Sequence, residues 1–471
     1  MMQSPMPYGA PPAPTTTVHD NPRLPEDLGL PSLGLVMQLS GWLLNCVWVL
    51  ALLGLVVGSR GAKGTGAFIV VLLTCIVRSI LGAVAGAKLA QGGMDAPRSA
   101  RNYAIAAAVQ TVIVVVLVLA AGVSLGAGAI VWLVLVSLAW PAVVFGLCNR
   151  PTARALESSG YVVGRDLGLA GAGALMTSLG AIGLLMGIAL LTVVLGILDR
   201  AGAVGAVLLL LTVALIVRSA FHIAAGVRGL RGDSVSAFQN ATGRYVGIGF
   251  AASGLCLLVF FIIGAMGGRG GAGVASFFLA SLYAAALAVW PGVMAKFRAQ
   301  VGSRAGGEVL PPARDNGLTA IGFVVLGQGA LGVAVGLGAY LFEGGATSLL
   351  GGMFSGGAAR ELADGGVPAG LSLAVSFVSV VGGIELVRMT PRYQVAGIVY
   401  AVAGIVVGLW SGVATFKTLG GTLGSALLSN PLVMLMPAVL AGVSLVVPVV
   451  TLALCLRKLP GDAIVKPDVF S

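Results

Sequence analysis

The chain has 471 residues, of which 58% are hydrophobic and only 9% charged, with a mean hydropathy of +1.03. Soluble domains carry about 25% charged residues, so a water-soluble fold is excluded: too little of this surface can face water. The net charge of +11 does not point to nucleic acid. The basic residues stand in short loops between apolar runs, where they orient spans and meet anionic lipid headgroups.

Residues 1–31 are polar and hold eight prolines, including Pro11, Pro12 and Pro14. This composition predicts a disordered tail. It lacks the basic start and short apolar run of a cleaved leader, so none is expected. Apolar runs long enough to cross a bilayer then follow near 33–58, 67–90, 102–122, 128–148, 170–197, 205–228, 245–267, 273–296, 317–342, 369–387, 393–415 and 431–456. Assigning alternate loops to two sides gathers nineteen basic residues on the side of both termini, among them Lys88, Arg98, Arg154, Arg228, Arg304 and Arg392. The other side holds six: Arg60, Lys63, Arg200, Arg269, Arg360 and Lys417. A missed or extra span would mix the two sets, so the asymmetry predicts an even span count and cytoplasmic termini.

The chain also repeats itself. Ser137-Leu138-Ala139-Trp140-Pro141, Ala288-Val289-Trp290-Pro291 and Ser444-Leu445-Val446-Val447-Pro448 recur at about 140–160 residues. Arg101-Asn102-Tyr103, Arg244-Tyr245 and Arg392-Tyr393 open the third span of each set, and Arg78-Ser79 and Arg218-Ser219 lie in the second. The third set departs here, with Val378-Ser379. The fold expected is an all-α polytopic integral membrane protein of about 12 transmembrane helices, built as three parallel four-helix repeats over 32–150, 165–300 and 315–458. A cytoplasmic tail over 459–471 follows. An even number of spans per unit inserts every copy in the same orientation, unlike inverted repeats.

Few residues carry chemistry. Arg78 and Arg218 each lie ten residues before the next basic residue on that side, Lys88 or Arg228, which puts them about 15 Å deep. A charge there faces the bundle interior or a wet cavity. Two readings stand: a site for an anion or lipid headgroup between units, or an arginine bonded to helix C-terminal carbonyls or snorkelling through a thinned bilayer. Ser79 and Ser219 adjoin them, and His222 lies four residues beyond Arg218 on the same helix face, as part of a polar site or as a buried, bonded histidine. Glu385, the one acid clearly within a span, is read either as an ion pair with Arg388 or as a counter-ion to Arg78 or Arg218. Pro141, Pro291 and Pro448 predict helix kinks. Gly82/Gly86, Gly183/Gly187, Gly332/Gly336 and Gly404/Gly408 have the spacing of close helix contacts, a weak signal in a chain with 72 glycines.

Catalytic signatures fail on physical grounds. Gly122-Val123-Ser124-Leu125-Gly126 has the nucleophile-elbow pattern, but Ser124 and His222 differ in depth by roughly 20 Å. The Gly58–Gly66 loop has Gly64 where a phosphate loop needs Ser or Thr after lysine. Two histidines and five scattered cysteines make no metal set, and no cofactor is expected. The expectation is a non-enzymatic structural or accessory component of a bacterial inner membrane, with lipids, anionic ones included, as partners. The alternative is a transporter or channel that binds an anionic or lipid substrate through the arginines.

Overall fold

The structure is a computed structural model. It describes residues 30–58, 65–91, 95–120, 127–149, 154, 169–231, 235–266, 271–305, 317–341, 369–388, 390, 392–422 and 435–456. Nearly all of residues 1–31, all of 459–471 and Ser124 lie outside this set. The described residues are helical throughout apart from single turn and end positions, with no strand among them. The helices are α1 (Leu30–Gly58), α2 (Thr65–Gln91), α3 (Ala96–Ala120), α4 (Ala127–Cys148), α5 (Leu169–Arg231), α6 (Val235–Met266), α7 (Gly271–Ala305), α8 (Leu318–Leu341), α9 (Ala369–Arg388), α10 (Tyr393–Thr422) and α11 (Leu435–Leu456).

Among the described residues, seven helical stretches are long and apolar enough to cross a membrane: Leu30–Val56, Thr65–Gln91, Ala96–Ala120, Leu169–Gly196, Val204–Leu230, Ser236–Ile262 and Tyr393–Trp410. Shorter apolar stretches lie in α4, α8 and α11. Large apolar side chains point outward on these helices, Val112, Leu210, Phe261 and Val395 among them. Such a surface is stable against lipid, not water. The chain is a helical membrane protein.

The 63-residue α5 would be about 95 Å long if straight. It folds back on itself instead. A Cβ built on Gly173 would stand 2.7 Å from Gly226 O and 2.7 Å from Leu230 N, and Gly187 meets Ile216. The two arms, Leu169–Gly196 and Val204–Leu230, therefore lie antiparallel. The same close approach joins α1 to α2 and α8 to α9. A Cβ on Gly34 would lie 2.3 Å from Ala90 N, and one on Gly322 would lie 3.0 Å from Val387 N. With lipid as solvent, no hydrophobic force drives helices together, and backbone-to-backbone packing at small residues takes its place.

Consecutive helices pack in order: α1 on α2, α2 on α3, α3 on α4, then α5 on α6 and α6 on α7, then α8 through α11 likewise. Longer-range contacts run α4 to α8, α11 to α5 and α7 to α1, and α1, α5 and α8 all touch one another. Ser32, Gly171 and Ala320 meet where these three helices join: a Cβ on Gly171 would stand 2.2 Å from Ser32 Oγ and 3.3 Å from Ala320 Cβ. The buried cores follow the same seams. Trp290 of α7 packs in one cluster with Leu35 of α1, and Trp140 of α4 lies against Gly327 of α8. At the end of the bundle that holds Leu30, Cys148 and Leu318, the side chains of Lys88, Arg98, Arg228, Arg244, Lys296, Arg298, Arg388 and Arg392 are exposed.

Candidate functional site

Two of the three prolines explain where the intramembrane arginines go. Proline has no N–H, so the carbonyl four residues earlier loses its helical partner. For Pro141 that carbonyl belongs to Ser137, and for Pro291 to Leu287. Arg78 Nη2 on α2 donates to Ser137 O on α4. Arg218 Nη2 on the second arm of α5 donates to Leu287 O on α7 at 2.8 Å. In each case a charged donor replaces the backbone donor that proline removes. A freed carbonyl in a bilayer costs several kcal/mol, and a hydrogen bond to a charged group contributes about 1.5–3 kcal/mol.

The surroundings of the two arginines differ. Arg78 Nη1 donates to Gln110 Oε1 on α3 at 3.0 Å. Gln110 Nε2 in turn donates to Thr74 Oγ1 at 3.2 Å and contacts Cys75 Sγ at 3.4 Å. The Gln110 side chain is therefore used at both its oxygen and its nitrogen, within one α2–α3–α4 network. Ser79 Oγ donates to Ile76 O at 2.8 Å and reaches Asn45 Oδ1 at 3.3 Å. Tyr103 lies over Gly82, where a Cβ would be 3.0 Å from its ring.

Around Arg218 the residue set changes. His222 replaces the space over Gly82 with a ring that stacks on Tyr245, centroids 4.2 Å apart and planes 11° apart. Trp290 Nε1 donates to His222 Nε2 at 2.5 Å, joining α7 to α5. His222 is thus a buried, bonded histidine. Ser219 Oγ donates back to Leu215 O at 2.9 Å. Arg218 Nε, Tyr245 Oη and Thr242 Oγ1 are buried, and the Tyr245 hydroxyl lies against the Arg218 guanidinium as the Tyr103 hydroxyl lies against that of Arg78.

Glu385 on α9 accepts a hydrogen bond from Thr390 Oγ1. Among the described residues it forms no ion pair with Arg388, which is exposed, and it approaches neither Arg78 nor Arg218. The two arginines do not share one site: Arg78 bonds within α2–α4, and Arg218 bonds between α5 and α7. Pro291 and Pro448 lie inside α7 and α11, seated on Gly249 and Gly404, where a Cβ would meet the proline Cγ at 2.5 and 2.8 Å. Pro141 lies inside α4.

Sequence reading missed Gln110 and took Tyr103 and Tyr245 only as marks of repetition. The signal for Gln110 was present, as an amide in mid-span is nearly as conspicuous as a charge. The carbonyl acceptors carry no sequence mark of their own. They become visible only by counting back four residues from each proline.

Among the described residues no group of three or more His, Cys, Asp or Glu side chains stands ready to hold a metal ion. No family model matches this chain, and no curated protein and no solved structure matches it either.

Proposed function

We propose that this protein is a structural or accessory component of a bacterial inner membrane, built from a triplicated four-helix unit and acting through helix packing and lipid contact. The single observation that carries the reading is the use of Arg78 and Arg218. Each is tied to the carbonyl that a proline frees within its own set of helices. They serve the fold where a transporter would hold them open to a substrate.

Several contacts support the triplication. The α4–α8, α11–α5 and α7–α1 contacts run in one cyclic sense, with α1, α5 and α8 at the centre. Gly34, Gly173 and Gly322 make the same backbone approach in each unit. The register we take for the third unit follows the glycine contacts. Ser219 Oγ would stand 2.7 Å from a Cβ on Gly183, and Ser376 Oγ 2.4 Å from one on Gly332. On that register Ser376 answers to Ser219, and Val375 stands at the arginine's position. Counted from the Gly249–Pro291 and Gly404–Pro448 contacts, Tyr400, not Tyr393, answers to Tyr245.

In this reading both termini are cytoplasmic, and the exposed basic end meets the anionic headgroups of that leaflet. The protein has no catalytic role and needs no cofactor. Proteoliposome flux tests the function: wild type, Arg78→Ala and Arg218→Ala are expected to pass anions no faster than empty vesicles, while both variants lose stability. Saturable flux that the substitutions abolish would establish the transporter alternative. Cysteine labelling tests the orientation, since probes outside intact cells should reach position 60 or 269 but not 154, 231 or 304.

A further inference from the structure

The exposed charges at the basic end follow a pattern that two units share and the third breaks. On α2, Val77, Leu81, Val84 and Lys88 are all exposed. Steps of three and four residues keep them on one helix face, so an apolar stripe open to lipid ends in a cation. On α3 a second stripe starts from the same end, with Arg98 and Asn102 followed by Ile105, Val109 and Val112, all exposed. Lys88 Nζ donates to Ser99 Oγ at 3.4 Å, which brings Lys88 beside Arg98 where the two helices pack. Two cations and an amide thus stand at the foot of two adjoining lipid-facing stripes. Asp95, the acid closest in sequence, is a turn further from the apolar part of α3.

The second unit keeps the set and rearranges it. Lys88 lies nine residues after Ser79, and nine after Ser219 comes Arg228, exposed at the end of Val217, Phe221 and Ala224. Asn102 and Arg98 lie one and five residues before Tyr103; the same places before Tyr245 hold Arg244 and Asn240, both exposed. Arginine and asparagine have changed places, and the pair of cations with one amide remains. A Cβ on Gly229 would lie 3.0 Å from Phe238 Cε2, so α5 and α6 adjoin at this level as α2 and α3 do.

The third unit reverses the charge. Nine residues after Ser376 comes Glu385, which accepts from Thr390 Oγ1, and the places before Tyr400 hold Val395 and Val399, both exposed. Arg388 and Arg392, also exposed, stand three residues outside Glu385 and Val395, beyond the carboxylate.

Cations at the foot of lipid-facing stripes match one kind of molecule, an anionic phosphate carrying hydrocarbon chains. Lysine and arginine stems lie along apolar surface while their heads reach the headgroup level, and the arginine fork takes two phosphate oxygens at once. We propose that the α2–α3 and α5–α6 edges each hold one anionic phospholipid of the cytoplasmic leaflet, and that the α9–α10 edge holds none. The phosphate sits on Lys88 and Arg98 in one site and on Arg228 and Arg244 in the other, with the chains along the exposed stripes. The sites rest on the orientation and triplication proposed above and name the lipid partner within that reading.

The test counts lipids on the full chain in a neutral detergent by native mass spectrometry, with dioleoylphosphatidylglycerol or dioleoylphosphatidylcholine added. Two phosphatidylglycerols should be held tightly, and phosphatidylcholine should not. Lys88→Gln with Arg98→Gln should lose one, and Arg228→Gln with Arg244→Gln the other, each affected site weakening roughly thirtyfold for the two cations removed. Arg388→Gln with Arg392→Gln removes the same charge and should still hold two. Glu385→Lys with Val395→Arg should hold three. Circular dichroism of every variant should show wild-type helix content, since all the substituted side chains but that of Glu385 are exposed. Equal retention of phosphatidylcholine, a wild-type count other than two, or the same loss in the Arg388/Arg392 variant as in the site variants overturns the sites. Any of these leaves the packing evidence for a structural role intact, whereas saturable anion flux would sink that role and leave the two lipids in place.

Discussion

The pairing of an intramembrane arginine with a proline-freed carbonyl predicts strong coupling between Arg78 and Pro141. Arg78→Met removes the donor and leaves Ser137 O without a replacement for the N–H that Pro141 lacks. The loss is that of a hydrogen bond to a charged group, about 1.5–3 kcal/mol, partly offset because a charge no longer has to be held in the bilayer. Pro141→Ala restores the backbone N–H, so Ser137 O regains its ordinary helical partner. In that background Arg78→Met should cost much less. The double-mutant cycle should give an interaction energy of about 1–2 kcal/mol, well above the roughly 0.5 kcal/mol seen for independent sites. Reversible unfolding in mixed micelles, followed by helix content, supplies the four midpoints. Additivity within about 0.5 kcal/mol would refute the reasoning and leave the arginine as a charge that merely tolerates its place.

Two further outcomes follow from packing. Gly173→Ala should destabilise the protein by about 1–3 kcal/mol, because the new methyl would meet Gly226 O and Leu230 N at 2.7 Å; Gly66→Ala, with nothing within 4 Å, should stay within about 0.5 kcal/mol of wild type, both read from the same unfolding midpoints. Trp290→Phe should cost about 1–3 kcal/mol by leaving His222 Nε2 buried without its donor, and a smaller loss on addition of His222→Gly than in wild type would confirm that the two residues act as a pair.

Much of the architecture was legible because a bilayer imposes simple rules. Apolar runs of the required length matched helices, and the predicted turn between 197 and 205 corresponds to the reversal inside α5 that joins its two apolar arms. The place of Arg78 and Arg218 within apolar runs was readable from the sequence. Their partners were not, because backbone carbonyls are anonymous in a sequence and their exposure depends on a proline on another helix. The place of Ser376 was hidden for a related reason. Val378-Ser379 resembles Val217-Arg218-Ser219 as text, but Ser376 is the residue that lies against Gly332. Small residues are so common here that pattern alone cannot choose between adjacent serines, and only helix-to-helix contact decides. Glu385 misled in the same way: Arg388 was its nearest cation along the chain, but Thr390 reaches it first.

The centre of the molecule separates a packed seam from a pore. A pathway on the axis of α1, α5 and α8 would have to pass Ser32, Gly171 and Ala320. There a single added Cβ on Gly171 would come within 2.2 Å of Ser32 Oγ, too close even for a methyl group and far too narrow for water. Ser32 and Ala320 are themselves buried. Gly171→Leu therefore has opposite consequences under the two pictures. If the axis conducts, a bulky side chain blocks flux and leaves the fold intact, since a lumen has room for it. If the axis is a seam, the leucine forces the three helices apart, with a cost at the upper end of the 1–3 kcal/mol typical of overpacking, about 3 kcal/mol or more. Ser32→Ala should relieve part of that cost by removing the atom in the way, which a pore would not predict. A Gly171→Leu protein of wild-type stability would show that α1, α5 and α8 stand further apart in the membrane than their contacts here require, and the central close packing would lose its main support.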